Sequence, residues 1–201
     1  KDILPVIPEK GSVGASGDLA PLGHMALSLI GEGKVFYQGK VFKTKTIFNR
    51  QNINPLILGP KEGISLINGT QVSTALAIKA CLDGDILLKS ADIAGAFSVE
   101  NSFSSRKVFN KKIHQLKCHP GQKISAQNVY KMLIGSEIVR SHSNCGKVQD
   151  PYSFRCIPHI HGACRDTFSS AKTIINNEIN SVSDNPLIMD KNTAMSSGHF
   201  H

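Results

Sequence analysis

Three consecutive small residues, Ala15, Ser16 and Gly17, could build an electrophile from the backbone itself. If a tight turn brings the amide nitrogen of Gly17 to the carbonyl carbon of Ala15, ring closure and loss of two waters would convert Ser16 into a dehydroalanine. The product is a methylidene-imidazolone (MIO) ring. Gly17 has no Cβ to obstruct the attack and tolerates unusual backbone angles. The ring would be a cofactor made from the chain, because no unmodified side chain provides a comparable electrophile.

The same segment is also typical of an ordinary helix start. Ser16 or Asp18 could cap a helix that has Pro21 in its first turn. The longer string over residues 11–27, GSVGASGDLAPLGHMAL, resembles the MIO motif of the aromatic amino acid ammonia-lyases, and among them the histidases most. In that family the motif also leads into a helix, so the two interpretations are compatible.

Asn68 lies in a second stretch, EGISLINGTQ, at residues 62–71. An Asn-Gly pair by itself favours a turn or a break between helices. The stretch is similar to the second signature of the ammonia-lyases. That resemblance implies that the side-chain amide of Asn68 contacts the ring and the amino end of the substrate.

A third stretch, VQDPYSFRC at residues 148–156, contains Tyr152 and Arg155 three positions apart. If the segment is helical, the two side chains share a face. Arginine suits bidentate capture of a carboxylate, and tyrosine can hydrogen-bond a developing anion or relay a proton. The alternative is a surface arginine beside a half-buried tyrosine. The stretch resembles the histidase string VQDPYSLRC, which implies that Arg155 binds the α-carboxylate, that Tyr152 acts beside the ring and that Gln149 lines the pocket.

The resemblance continues through residues 113–122 and 135–142, and through the string SDNPL at residues 183–187. The last six residues, SSGHFH, are similar to the family's SGGNFH, with Ser197 and His199 in place of Gly and Asn. Phe200 holds the position of an aromatic side chain near the ring.

The resemblance implies a carbon-nitrogen lyase of histidine catabolism that deaminates L-histidine to trans-urocanate and ammonia without oxidation. Family members are longer homotetramers whose active sites combine residues from several subunits, among them a tyrosine base and a carboxylate that nothing in this sequence matches. We therefore expect residues 1–201 to be the central part of one larger chain, inactive and poorly stable when expressed alone. The alternatives are another MIO enzyme, such as a tyrosine or phenylalanine ammonia-lyase or an aminomutase, and a catalytically dead structural relative.

Composition disfavours several other classes of protein. The formal charge is +8, but the 23 lysines and arginines are spread along the chain, so we predict no nucleic-acid partner. The sequence has no run of 18 apolar residues, which argues against a membrane span. Five scattered cysteines favour a reducing compartment, and we predict a cytoplasmic protein. The pairs His159-x-His161 and His199-x-His201 lack a third ligand at an obvious spacing, so we predict no metal.

Hydrophobic spacing indicates the elements that must position these residues. It predicts helices over residues 22–30, from 62, over 72–97, over 126–141 and over 158–179. A small hairpin is predicted over residues 35–42, while 44–60 and 141–152 should be irregular. Pro120-Gly121 and residues 183–186 are predicted turns, with an extended segment from Leu187. These elements predict an all-α fold with a small β-hairpin and short strands, and the resemblance implies a long-helix bundle of the aromatic ammonia-lyase type.

Overall fold

A computed structural model of the chain describes residues 1–15 and 17–201. Ser16, at the centre of the predicted ring, lies outside the described residues. The chain forms two compact units: Lys1–Ala77 with Asn177–His201, and Ile78–Asn176. Helices form most of the regular structure described in each unit, and the strands, which all lie in the first unit, are short. The all-α prediction with a small hairpin is therefore confirmed.

The first unit contains a short antiparallel sheet and three helices. The sheet has the order β1 (Leu4–Pro5), β2 (Lys34–Tyr37), β3 (Lys40–Lys43), and the helices are α1 (Leu19–Leu29), α2 (Thr44–Gln51) and α3 (Glu62–Ile67). Val35 pairs with Phe42 in the predicted hairpin, whose corner residues Gln38 and Gly39 both have positive φ. A second hairpin of β4 (Leu187–Asp190) and β5 (Thr193–Met195) begins at the predicted extended segment.

Helix α2 corrects the prediction that residues 44–60 are irregular. Ile47 and Phe48 are its only large apolar residues, so the segment carries almost no periodic signal. Both side chains are nevertheless buried, and Asn52 ends the helix in the left-handed conformation with φ +50°. Burial of one apolar pair thus stabilises a helix that the local sequence hardly indicates.

The second unit contains most of the long helices. In chain order the elements are α4 (Gln71–Asn101, starting in the first unit), a 3₁₀ helix (Arg106–Phe109), α5 (Lys111–Gln115), α6 (Pro120–Met132), α7 (Glu137–Ser141), α8 (Tyr152–Arg155) and α9 (Ile157–Ile179). Its core is a cluster from four of these segments and Leu133: Ala96, Val99, Phe109, Val129, Leu133 and Ile157. The long helices predicted over 72–97 and 158–179 are confirmed, as is the irregular segment before Tyr152.

Two predictions in the second unit are wrong. Pro120 does not form a turn but begins α6, a position where its missing N–H needs no partner. The single helix predicted over residues 126–141 is two helices, because α6 ends at Met132 and Gly135 adopts φ +82°. Helix α7 then starts afresh, with the Ser136 hydroxyl accepting the N–H of Val139 at 3.1 Å.

Among residues 1–15 and 17–201, none of the helices has the length and apolar character that a membrane crossing requires.

Candidate active site

Asp18 closes the loop that precedes α1. Its carboxylate is buried; Oδ1 accepts the N–H of Val13 at 3.2 Å, and Oδ2 accepts the hydroxyl of Ser12. The same Ser12 oxygen also accepts the N–H of Gly14 at 3.1 Å. The sequence suggests Asp18 as a helix cap, but its side chain makes no capping hydrogen bond in α1 and instead bonds to Ser12 and Val13 in the preceding loop.

Gly17 lies in close contact with Asn68. Its φ is +65°, and a Cβ built on it would stand 2.6 Å from Oδ1 of Asn68, so a residue with a side chain would be strained and would clash. The N–H of Gly17 donates to the carbonyl oxygen of Gly69 at 3.2 Å. Gly17 and the pair Asn68-Gly69 are therefore in contact within the first unit.

Asn68 is oriented from its other side by the turn at residues 183–186. Its Nδ2 donates to the main-chain carbonyl of Asn185 at 3.2 Å, which leaves Oδ1 directed toward Gly17. Helix α3 ends at Ile67 and α4 begins at Gln71, so the predicted break at Asn68 is confirmed.

Asp184 fixes that turn. Its Oδ2 accepts Lys61 Nζ and, at 2.8 Å, the hydroxyl of Ser65, while its Oδ1 accepts the N–H of Asn185 at 2.7 Å. Burial raises the pKa of the Asp184 carboxyl, but the hydrogen bonds from Lys61, Ser65 and Asn185 outweigh burial and hold it below its ordinary value. Sequence reasoning missed Lys61 and the role of Asp184, because the contact joins residues 119 to 123 positions apart.

Tyr152 and Arg155 share a face of α8 in the second unit, as their spacing predicts. The guanidinium carbon of Arg155 lies 4.6 Å from the centre of the Tyr152 ring. Arg155 Nε donates to the main-chain carbonyl of Asp150 at 2.7 Å. Tyr152 is 74% exposed, so its hydroxyl is accessible to solutes.

A cavity of about 880 Å³ lies beside α8, within the second unit. Gln149, Asp150 and Arg155 all line it, whereas Tyr152 does not. Its basic lining residues are Arg106, Lys107, Arg140, Lys147 and Arg155, and its only acidic one is Asp150. This excess of positive charge in the lining favours an anionic ligand.

Phe200 is partly buried in the first unit, with its ring centre 4.6 Å from that of His201. Asn185 Oδ1 accepts the N–H of Ser197 at 2.8 Å, so the segment before Phe200 is tied to the turn that holds Asn68. Of the predicted site residues, the structure places Ala15, Gly17, Asn68 and Phe200 in the first unit. It places Gln149, Tyr152 and Arg155 in the second.

One histidine of each predicted pair contacts a polar side chain within its own unit. His161 Nδ1 lies 2.9 Å from Oδ1 of the buried Asp92, and His199 Nδ1 lies 2.9 Å from the hydroxyl of Ser197. Within the described part of the chain no three His, Cys, Asp or Glu side chains are grouped as metal ligands would be.

Comparison with known proteins places these features in context. A histidine ammonia-lyase from Myxococcus xanthus is 47% identical over the whole chain. The solved histidine ammonia-lyase of Trypanosoma cruzi matches all of the chain and 37% of its own length, at 32% identity and TM-score 0.80. The tyrosine aminomutase of Streptomyces globisporus matches 99% of the chain and 41% of its own length, at 33% identity and TM-score 0.83.

The chain spans about 40% of the length of the curated relatives that it matches. The model of the family described as "Aromatic amino acid lyase" matches residues 1–201, the whole of the sequence. Together with the contact between Gly17 and Asn68 and the helical fold, this match shows that the chain belongs to the aromatic amino acid lyase family.

Proposed function

We propose that the full-length protein deaminates L-histidine to trans-urocanate and ammonia. The observation that carries the proposal is the packing of Gly17, in an Ala-Ser-Gly segment, directly against the amide of Asn68. The choice of substrate is supported by relatives named histidine ammonia-lyase that are 46–47% identical across the chain.

The residues around position 16 fit an MIO ring formed from Ala15-Ser16-Gly17. Gly17 has no Cβ to obstruct the attack on Ala15, and Asn68 leaves no room for a side chain at that position. The Asp18 carboxylate accepts hydrogen bonds from Ser12 and Val13 and so fixes the conformation of the loop before the Ala-Ser-Gly segment. When formed, the ring supplies an electrophilic carbon that can activate an amine for elimination.

Arg155 would bind the α-carboxylate of the substrate. Its Nε is used by the carbonyl of Asp150, and among the described residues no carboxylate forms an ion pair with its guanidinium. The two terminal nitrogens are therefore available for a bidentate interaction with an anion in the basic cavity. Gln149 lines the same cavity and would contact the substrate there.

Asn68 would contact the ring and the amino end of the substrate, and Tyr152 would act beside the ring. The exposed Tyr152 hydroxyl can donate a hydrogen bond or relay a proton, and the guanidinium carbon of Arg155 lies 4.6 Å from the centre of its ring. Asn68 Oδ1 is an acceptor suited to an ammonium or amine group. Phe200 would supply an apolar wall near the ring.

We further propose that residues 1–201 are the MIO-loop and core-helix part of a longer cytoplasmic chain that forms a homotetramer. Apolar side chains exposed along α4 are suited to covering by further helices: Leu76, Leu82, Ile86, Leu87, Ile93 and Phe97. Five free cysteines are compatible with a reducing compartment.

The test is a substrate panel on the purified full-length protein. With L-histidine we expect urocanate, followed by its ultraviolet absorbance, and little turnover of L-tyrosine or L-phenylalanine. The peptide that contains Ser16 should be lighter by two waters, about 36 Da, than its sequence requires. A Ser16→Ala variant should keep the unmodified mass and lose activity.

The second candidate is an aminomutase or lyase acting on another aromatic amino acid, which the similarity to a tyrosine aminomutase favours. Consumption of L-tyrosine or L-phenylalanine in the same panel would support it and overturn histidine as substrate. An unmodified Ser16 peptide with no turnover of any of the three would instead indicate a catalytically dead relative.

A further inference from the structure

Asp150 contacts the rest of the second unit through two different groups. Its carboxylate Oδ2 accepts the N–H of Ser105 at 2.8 Å, and its main-chain carbonyl accepts Nε of Arg155 at 2.7 Å. The residue is only 8% exposed, although the flanking Gln149 and Pro151 are both exposed. Asp150 therefore links the backbone at Ser105 to the arginine that lines the basic cavity.

The anchor lies at a well-packed place. Ser105 caps the 3₁₀ helix Arg106–Phe109, its hydroxyl accepting the N–H of Lys107 at 3.1 Å. Phe109, at the end of that helix, is 1% exposed and belongs to the core cluster. A side chain bonded to Ser105 is consequently held by the core of the unit, whereas residues 142–149 belong to no helix or strand.

The carbonyl of Asp150 determines which edge of Arg155 is free. A guanidinium has one edge with Nε and one terminal nitrogen and another edge with both terminal nitrogens. The hydrogen bond from Nε to Asp150 fixes the rotation of the guanidinium within its own plane. The contact with the Tyr152 ring fixes the tilt of that plane. The edge with two terminal nitrogens is left for a carboxylate.

We propose that Asp150 is a positioning residue for carboxylate recognition by Arg155. Its side chain anchors the start of α8 on Ser105, and its carbonyl orients the guanidinium. The inference rests on the proposed function for the identity of the substrate, but not for the recognition of a carboxylate.

The experiment compares full-length Asp150→Ala and Asp150→Asn proteins with the unsubstituted protein. Asparagine keeps an oxygen that can accept the Ser105 N–H, whereas alanine does not. We expect Asp150→Ala to raise KM for L-histidine by about 10-fold or more with kcat changed less than about threefold. Asp150→Asn should stay within about threefold in both constants. Equal losses in the two variants, or a fall in kcat with KM unchanged, would overturn the proposal.

A binding measurement keeps the proposal testable without turnover. Imidazole-4-propionate and its primary amide differ only in the carboxylate, and calorimetry gives the affinity of each for the three proteins. Asp150→Ala should lose most of the preference for the propionate that the unsubstituted protein shows, while Asp150→Asn keeps it. A preference unchanged in Asp150→Ala would overturn the positioning role even if the protein deaminates L-histidine.

The two hypotheses fail in different ways. Suppose that the unsubstituted protein does not turn over L-histidine but prefers the propionate to the amide, and that Asp150→Ala lacks this preference. The proposed substrate is then wrong and the positioning role stands. If the unsubstituted protein never distinguishes the propionate from the amide, the positioning role is wrong. Urea midpoints of both variants identify unfolding. If Asp150→Ala is unfolded, Ser105→Pro replaces it, since proline removes the N–H donor together with the hydroxyl that caps the 3₁₀ helix. A folded Ser105→Pro should lose the preference for the propionate that Asp150→Asn keeps; if it keeps the preference, the proposal is wrong.

Discussion

Nη2 of Arg165 lies 2.6 Å from Oδ2 of Asp92, in an ion pair whose carboxylate side chain is only 2% exposed. The same carboxylate accepts Nδ2 of Asn128 at 2.7 Å and lies 2.9 Å from Nδ1 of His161. One residue of α4 is thus bonded to α6 and to two successive turns of α9. These bonds satisfy the buried charge and fix the three helices of the second unit against each other.

The first prediction concerns this buried pair. Asp92→Ala in the full-length protein should lower the free energy of unfolding by about 3–5 kcal/mol, because Arg165 would remain partly buried without its anion. The measurement is urea unfolding followed by circular dichroism. Asp85→Ala is the matched control on the same helix, since Asp85 pairs with Lys172 where both side chains are more than 40% exposed. The control should change stability little; equal effects of the two variants would contradict the prediction.

The second prediction concerns the crossing of α6 and α9. A Cβ on Gly162 would lie 2.4 Å from the backbone nitrogen of Gln122, and one on Gly121 would lie 2.2 Å from the carbonyl oxygen of Gly162. Because backbone atoms cannot move aside as side chains do, Gly162→Ala should force the helices apart and destabilise the protein by about 1–3 kcal/mol or more. Thermal and urea unfolding of the full-length protein both measure this loss.

Gly63→Ala is the control for that substitution. Gly63 is also helical, in α3, but a Cβ there meets no atom of the described residues within 4 Å. Alanine is the better helix former by about 0.5–1 kcal/mol, so the control should be neutral or slightly stabilising. Equal destabilisation by both substitutions would contradict the prediction, because a Cβ on Gly63 has no close neighbour that could explain a loss.

The sequence correctly predicts elements that have clear hydrophobic periodicity or characteristic turn residues. It misses elements whose stability depends on tertiary contacts. The helix over residues 72–97 and the hairpin at Gln38-Gly39 are correctly predicted, since each has local chemistry that suffices. Helix α2 is missed because its stability depends on burial of Ile47 and Phe48. Pro120 is misinterpreted because proline suits both a turn and a first helical turn.

The candidate site divides in the same way. Motifs and the family resemblance indicate Gly17, Asn68 and Arg155 as candidates, because each carries chemistry in its own side chain or backbone. They do not indicate Asp150 or Lys61 as supports, since the bonds to Ser105 and Asp184 join residues 45 and 123 positions apart. No local pattern of residues encodes such a contact.

The third prediction concerns pH. The pKa of the Asp184 carboxyl is raised by burial but lowered more by its hydrogen bonds, so in the folded protein it lies below the ordinary 3.8. The folded state therefore binds this proton less readily than the unfolded state. The resulting stabilisation is fully present well above pH 3.8 and is lost as the pH falls through the lowered pKa. Lys61→Met should cost about 1–3 kcal/mol near neutral pH and progressively less below pH 3.8.

Urea midpoints of the full-length protein, measured from neutral to acid pH, test this prediction. Lys79→Met is the matched control, because Lys79 pairs with Asp83 where the side chains are 69% and 59% exposed. Its midpoints should follow those of the unsubstituted protein at every pH. A constant offset of Lys61→Met across the whole pH range would mean that lost packing, rather than the ion pair with Asp184, is responsible.

The fourth prediction concerns the carboxylate-binding role of Arg155. Arg155→Lys keeps the positive charge but cannot both donate to the Asp150 carbonyl from a planar Nε and present two further parallel donors. We expect kcat/KM for L-histidine to fall by about 10- to 100-fold, mainly through KM, because a charge-assisted hydrogen bond is lost while the chemical step is untouched. Steady-state kinetics on the full-length protein measure the two constants. Arg50→Lys, an exposed arginine in the first unit whose guanidinium lies 5.4 Å from the Phe42 ring centre, is the matched control and should leave both constants unchanged. A fall in kcat at constant KM would assign Arg155 to the reacting atoms instead of the carboxylate.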